Sequence, residues 1–224
     1  MSGLLYNHSV PLIPCALMLC LFLQKAEDAK PVIDNARAAV FDVTLANGQP
    51  IPAQPRGFDV VKVYLAGGML RTTQPDGKSK IVSRSAGDAV FEPRGMAPGE
   101  ELVSGDAARE IVIELKDYKA EPTPNTSGYP NAFPRAGSKK LIDNNRVTVW
   151  DYSWKPGIPT AMHFHDKEVV VIYLENGILR SIAPDGKIVD NDYSAGAIRF
   201  NLGNRAHSEQ LISGAQRAIV TEFK

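Results

Sequence analysis

The chain repeats itself. Asp34-Asn35-Ala36-Arg37 returns 109 residues later as Asp143-Asn144-Asn145-Arg146. The same offset carries Tyr64-Leu65 to Tyr173-Leu174, Leu70-Arg71 to Leu179-Arg180, Pro75-Asp76-Gly77-Lys78 to Pro184-Asp185-Gly186-Lys187, and Ser85-Ala86-Gly87 to Ser194-Ala195-Gly196. Identities fill roughly one column in three over residues 34–98, whereas unrelated segments of ordinary composition match in roughly one column in 15–20. After one deletion the offset becomes 108, pairing Ile111-Val112-Ile113-Glu114 with Ile219-Val220-Thr221-Glu222. Whatever one copy folds into, the other must fold into as well. The chain is therefore read as two like domains, residues 31–117 and 141–224, joined by residues 118–140. That connection holds Pro122, Pro124, Pro130, Pro134, Gly128 and Gly137, which makes it extended and stiff. Lying across a barrel mouth is one role open to it.

Each copy reads as β structure. Val60 to Leu65 and Val169 to Leu174 are β-branched or aromatic runs of buried-strand length. Pro-Asp-Gly-Lys is turn chemistry, with Pro presetting φ, Asp bonding the backbone ahead and Gly taking φ > 0. Short strands at regular spacing, punctuated by Gly and Pro, predict an all-β protein built as sandwiches or barrels. Trp150, Tyr152 and Trp154 alternate with polar residues, the pattern of one buried strand face.

Composition narrows the function. Lys and Arg number 25 against 25 Asp and Glu, and no basic run occurs, which argues against nucleic-acid binding. Both cysteines, Cys15 and Cys20, lie in the apolar stretch Val10 to Leu23, so neither a disulfide framework nor a catalytic thiol is expected in the repeats. That stretch is short for a spanning helix and suits a secretory signal within residues 1–30, although no Lys or Arg precedes it. Export to the periplasm or outside, with no membrane association after signal removal, is the expectation. A disordered extension on a cytoplasmic protein is the alternative.

Three of four histidines fall in the second copy: His163, His165 and His207. Residues two apart on a strand share a face, so His163 and His165 can point at one spot, and a neighbouring strand can bring His207 alongside. Imidazole suits Fe, Mn, Ni, Zn and Cu, so the trio is a candidate site for one divalent transition metal. Ordinary hydrogen-bonded histidines are the competing reading.

Gly157, five residues, then His163-Phe164-His165 and a strand ending at Gly177 resemble the first motif of the cupin superfamily. Gly196, five residues, then Leu202-Gly203-Asn204-Arg205-Ala206-His207 resemble the second. The resemblance implies two jelly-roll β-barrels in tandem, a bicupin, with a metal held by His163, His165 and His207 and a small-molecule ligand in the barrel. Three-histidine sets resemble thiol-dioxygenase-like cupins, which implies oxygenation as one chemistry; capture of a ligand without turnover is the alternative. Cupins usually add a Glu seven residues before the closing Gly, and here that place holds Val170. Glu168 is then expected either as a weaker fourth ligand or as a rim residue. Leu202 and Asn204 replace the usual Pro and Gly of the second motif.

The first copy has Gln54, Arg56 and Pro98 at the histidine positions, no credible ligand set. It is expected to be structural, serving as a lid or in a homodimer. Glu209 shares a strand face with His207 and is a candidate proton shuttle, or else an exposed strand-end carboxylate. Arg37 and Arg146 recur beside Asp34 and Asp143, so a structural ion pair or strand-end hydrogen bond is expected of them and not substrate binding.

Overall fold

The computed structural model describes residues 30–118, 121 and 123–224, so the signal-peptide reading lies outside the described residues. All named elements are strands. The first copy contains β1 (Ile33–Asp34), β2 (Ala38–Ala46), β3 (Gln54–Arg56), β4 (Asp59–Ala66), β5 (Gly68–Thr73), β6 (Ser79–Arg84), β7 (Ala89–Glu92), β8 (Gly95–Ala97), β9 (Gly99–Ser104) and β10 (Ala107–Leu115). The second contains β11 (Lys139–Asp143), β12 (Val147–Trp154), β13 (His163–His165), β14 (Val169–Tyr173), β15 (Gly177–Ile182), β16 (Ile188–Tyr193), β17 (Ile198–Asn201), β18 (Arg205–Gly214) and β19 (Gln216–Phe223).

Each copy builds a five-stranded antiparallel sheet, in the orders β1-β2-β10-β4-β7 and β11-β12-β19-β14-β17. Smaller sheets complete each barrel: β6-β5-β9 with β3-β8 in the first, and β13-β18-β15-β16 in the second. The repeated Pro-Asp-Gly-Lys closes the β5–β6 and β15–β16 hairpins. Gly77 and Gly186 take φ of 84° and 85°, and Asp76 and Asp185 each accept the N–H two residues on at 3.0 Å.

Strand alternation gives each large sheet two apolar faces. The outer faces meet: Val40, Val61, Val63, Ile111 and Ile113 of the first copy form one buried cluster with Val147, Val149, Val170, Ile172 and Ile219 of the second. This core belongs to both barrels. Burying a Val or Ile side chain stabilises by about 1.5–3 kcal/mol, so a barrel standing alone would expose what the pair hides. The inner faces form separate cores, around Leu45, Tyr64, Leu70 and Leu102 in the first and around Trp150, Tyr152, Trp154, Tyr173 and Leu179 in the second.

Reciprocal ion pairs cross the shared face. Arg37 Nε lies 2.8 Å from Glu168, and Arg146 lies 3.0 Å from Asp59, with each partner displaced by the repeat offset. Both arginines thus make structural ion pairs, as expected, but not with the aspartates beside them: Asp34 pairs with Lys116, and Asp143 with Lys140 and Lys224. Duplication made each arginine reach for its counterpart domain.

The connecting segment packs on the second barrel. Ala132 N–H donates to Phe164 C=O, and Phe164 N–H donates to Pro130 C=O, both at 2.8 Å, so residues 130–132 run along β13. Ala132 and Phe133 enter the second barrel's core.

Candidate metal centre

The three histidines meet because β13 pairs with β18, placing His163 opposite His207 and His165 opposite Arg205. Asn204 sets up this pairing. It takes φ of 58°, a left-handed conformation that Asn tolerates in place of Gly, and its N–H donates to His165 C=O at 2.7 Å. The substitution in the second motif thus preserves the turn.

The ring centroids form a near-equilateral triangle with sides of 4.8, 5.0 and 5.1 Å. One ligand atom from each ring lies within 4.8 Å of the others, and the Nε2 atoms of His165 and His207 are 3.1 Å apart. Two rings are held from behind. His163 Nδ1–H donates to Ala161 C=O at 2.8 Å, which turns its Nε2 lone pair inward, and His207 Nδ1 lies 3.1 Å from Ser181 Oγ. His165 Nδ1 is buried without a hydrogen-bond partner among the described residues.

Burial keeps the rings neutral. Desolvation lowers the imidazole pKa of His163, helped by Arg135, and of His165, helped by Arg205. It brings His207 to about 4, with Glu209 opposing and Arg205 assisting. Neutral imidazole is the form that ligates, so the trio fits a divalent transition metal in both geometry and protonation.

The centre lies in a cavity of about 250 Å³ whose wall includes Trp154, Tyr173, Tyr193, Arg135, Arg205 and Glu209. Tyr173 and Tyr193 stack with centroids 3.9 Å apart. Arg135 comes from the connecting segment. Its guanidinium sits 3.9 Å from the Tyr152 centroid and donates to Glu209 Oε2 at 3.2 Å and to His163 Nε2 at 3.4 Å. Glu209 Oε2 also accepts from Trp154 Nε1–H at 3.0 Å. Burial pushes the Glu209 carboxyl up, but Arg135, the neighbouring histidines and the Trp154 N–H outweigh it and bring it to about 2. Glu209 is thus inside the cavity and ionised, not an exposed strand-end group.

Glu168 is not at the centre; its carboxylate is held by Arg37 across the barrel interface. Residues 168 and 170 share the strand face that looks toward the first barrel, and Val170 belongs to the inter-barrel core. The cavity-facing residue is Val171. A one-residue change of register moves a side chain to the opposite face of a strand, which is why counting back from Gly177 chose the wrong side.

The first barrel fills the equivalent space with its own charges. Lys62, the repeat counterpart of Val171, is fully buried, hydrogen-bonded to Glu100, and lies 3.4 Å from Glu92 and 3.6 Å from Glu110. Arg56, the counterpart of His165, pairs with Glu92 at 2.7 Å. Strand pairing puts Ala97 opposite Gln54, so the residue facing the His163 counterpart is Ala97 and not Pro98.

Arg135, Arg205 and Ser181 were not singled out in the sequence. Arg205 lies two residues before His207 and so shares its face, a signal that alternation alone could supply. Arg135 sits in an aperiodic segment and gave none.

In sequence, neither a family model nor a curated protein matches the chain. Solved structures do match in fold. Bacillus subtilis oxalate decarboxylase, a protein with Mn(II) centres, superposes with a TM-score of 0.59 at 12% identity, over 84% of this chain and 69% of that one. A cupin 2 conserved barrel domain protein from Leptotrichia buccalis superposes with a TM-score of 0.53 at 14% identity, over 87% of both chains. At such identities the likeness speaks for architecture alone: the chain has the cupin fold.

Proposed function

We propose that the second barrel is a divalent-metal centre that takes up a small molecule, and that the first is a structural partner without a metal. The observation carrying this reading is the triangle of neutral imidazoles, two buried and one part-buried, with His165 and His207 lining a cavity, while the equivalent space in the other barrel is occupied by a lysine ammonium. His163, His165 and His207 would hold the ion, and Mn(II) or another imidazole-binding metal is compatible with the donor set. A bound ion would supply Lewis-acid polarisation of a ligand oxygen or, for a redox-active metal, electron exchange. Oxygenation is one such chemistry.

The protein's own residues confine and orient. Phe133 and Arg135 cover one side of the cavity from the connecting segment, and Glu209 anchors Arg135. A carboxyl held at about 2 is a weak proton acceptor at neutral pH, so Glu209 serves better as an anchor than as a shuttle. A second reading, ligand capture without turnover, is favoured by the same pairing, in which Arg135 and Glu209 satisfy each other at the cavity wall. Metal analysis of natively purified protein tests the centre: about one equivalent in the wild type and less than a tenth in His165→Ala. Product formation from a panel of thiols, phenols and small acids separates an enzyme from a binder.

A further inference from the structure

We infer that the ligand of this cavity is a small organic carboxylate, received by Arg205. The inference rests on the metal-centre reading and concerns a side chain of that site with no other assignment. Arg205, His207 and Glu209 alternate along β18, so all three face the cavity. Arg135 already has a carboxylate partner in Glu209. Arg205 has none among the described residues: its Nε–H donates to Leu202 C=O at 3.1 Å, and one terminal nitrogen lies 3.4 Å from His207 Nδ1. The far edge of its guanidinium is left for a guest. At 3.4 Å that contact is long, and the guanidinium's other terminal nitrogen has no partner among the described residues.

Charge bookkeeping points the same way. Three neutral imidazoles bring no negative charge to a divalent ion, and Val171 stands where a carboxylate could have faced it. Among the described residues Glu209 is the sole carboxylate lining the cavity, and it balances Arg135. A loaded centre therefore carries the ion's two positive charges plus that of Arg205, uncompensated in a partly buried space. An anion is the guest that neutralises both. A guanidinium edge matches the two oxygens of a carboxylate in parallel hydrogen bonds. Apart from Arg135, Arg205, Glu209 and the histidines, the walls are uncharged, mixing apolar and aromatic residues such as Val171 and Trp154 with Ser181, Asn191 and Asn201, so they offer no partner for a second charge. The cavity of about 250 Å³ lies below the roughly 300–1,000 Å³ of drug-sized sites, which keeps the guest small.

Lactate and its neutral amide, lactamide, have nearly the same shape and differ in charge. The two tryptophans, Trp150 and Trp154, are in this barrel, so tryptophan fluorescence of the manganese-loaded protein reports either titration. The expected result is lactate binding at least tenfold tighter than lactamide. Arg205→Gln should abolish the preference while bound metal, measured in parallel, stays at the wild-type level. Arg205→Lys, which keeps the charge and loses the fork, should retain a reduced preference and stands in should the glutamine variant not fold. Equal binding of acid and amide, an undiminished preference in Arg205→Gln, or inorganic phosphate binding more tightly than lactate would overturn the inference. Absence of bound metal would instead overturn the metal centre, and the same titration on metal-free protein would still test Arg205.

Discussion

Removing the Lys62 ammonium should destabilise the first barrel far more than removing an ordinary surface lysine. In Lys62→Met the chain keeps similar bulk but strands the carboxylates grouped around a fully buried nitrogen. The damage is uneven. Glu92 retains Arg56 at 2.7 Å, and burial has already pushed the Glu110 carboxyl up to about 7, so that at neutral pH it is half neutral. Glu100, buried and hydrogen-bonded to Lys62, carries most of the loss. Breaking a buried pair by deleting one partner costs about 3–5 kcal/mol, and with one carboxylate mainly affected the lower end applies. For a chain of this size, about 3 kcal/mol corresponds to a fall in Tm of roughly 6–12 °C. Thermal unfolding followed by circular dichroism at pH 7 reads this directly. Lys62→Met/Glu100→Gln should recover most of the fall, because it removes the stranded charge along with the cation. A single-variant shift under about 2 °C, or no recovery in the double variant, would refute the claim that an internal ammonium neutralises this space.

The other predictions concern the same network and the shared core. The Glu110 carboxyl is raised in the folded protein from 4.5 to about 7, so its contribution is full below about pH 4.5 and is lost as pH rises through 7. Glu110→Gln should therefore stabilise the protein at pH 8 relative to wild type and change little at pH 4.5, as read from denaturant midpoints; the opposite pH trend would contradict the burial argument. Ile219→Ala, in the core common to both barrels, should cost about 2–5 kcal/mol and shift tryptophan fluorescence and circular dichroism together. Separate transitions by the two probes would mean that the barrels unfold independently.

The duplication made the architecture legible, because turn chemistry and strand runs had to be explained twice with one fold. The histidine site was legible for a similar reason: alternation puts His163 and His165 on one face, and the second motif placed His207 near them. Legibility ended where a single residue decides the face. Glu168 and Val170 were counted toward the cavity, yet their strand turns that side to the other barrel. The recurrence of Arg37 and Arg146 signalled a structural role, but their partners Glu168 and Asp59 lie across an interface that no local pattern encodes. Arg135 comes from an irregular segment whose path is fixed by backbone bonds to Phe164. Lys62, in the middle of a buried apolar run, was the readable sign of the first barrel's charge cluster. Its meaning depended on Glu92, Glu100 and Glu110 arriving from three other strands.

The most direct test of the account is the metal content of the purified protein, measured by mass spectrometry of the elements on wild type, His165→Ala and Lys62→Met side by side. The account predicts about one equivalent of a divalent transition metal in the wild type, the same in Lys62→Met if it folds, and less than a tenth in His165→Ala. Two equivalents in the wild type, or retention of the metal after loss of His165, would contradict a single centre in the second barrel.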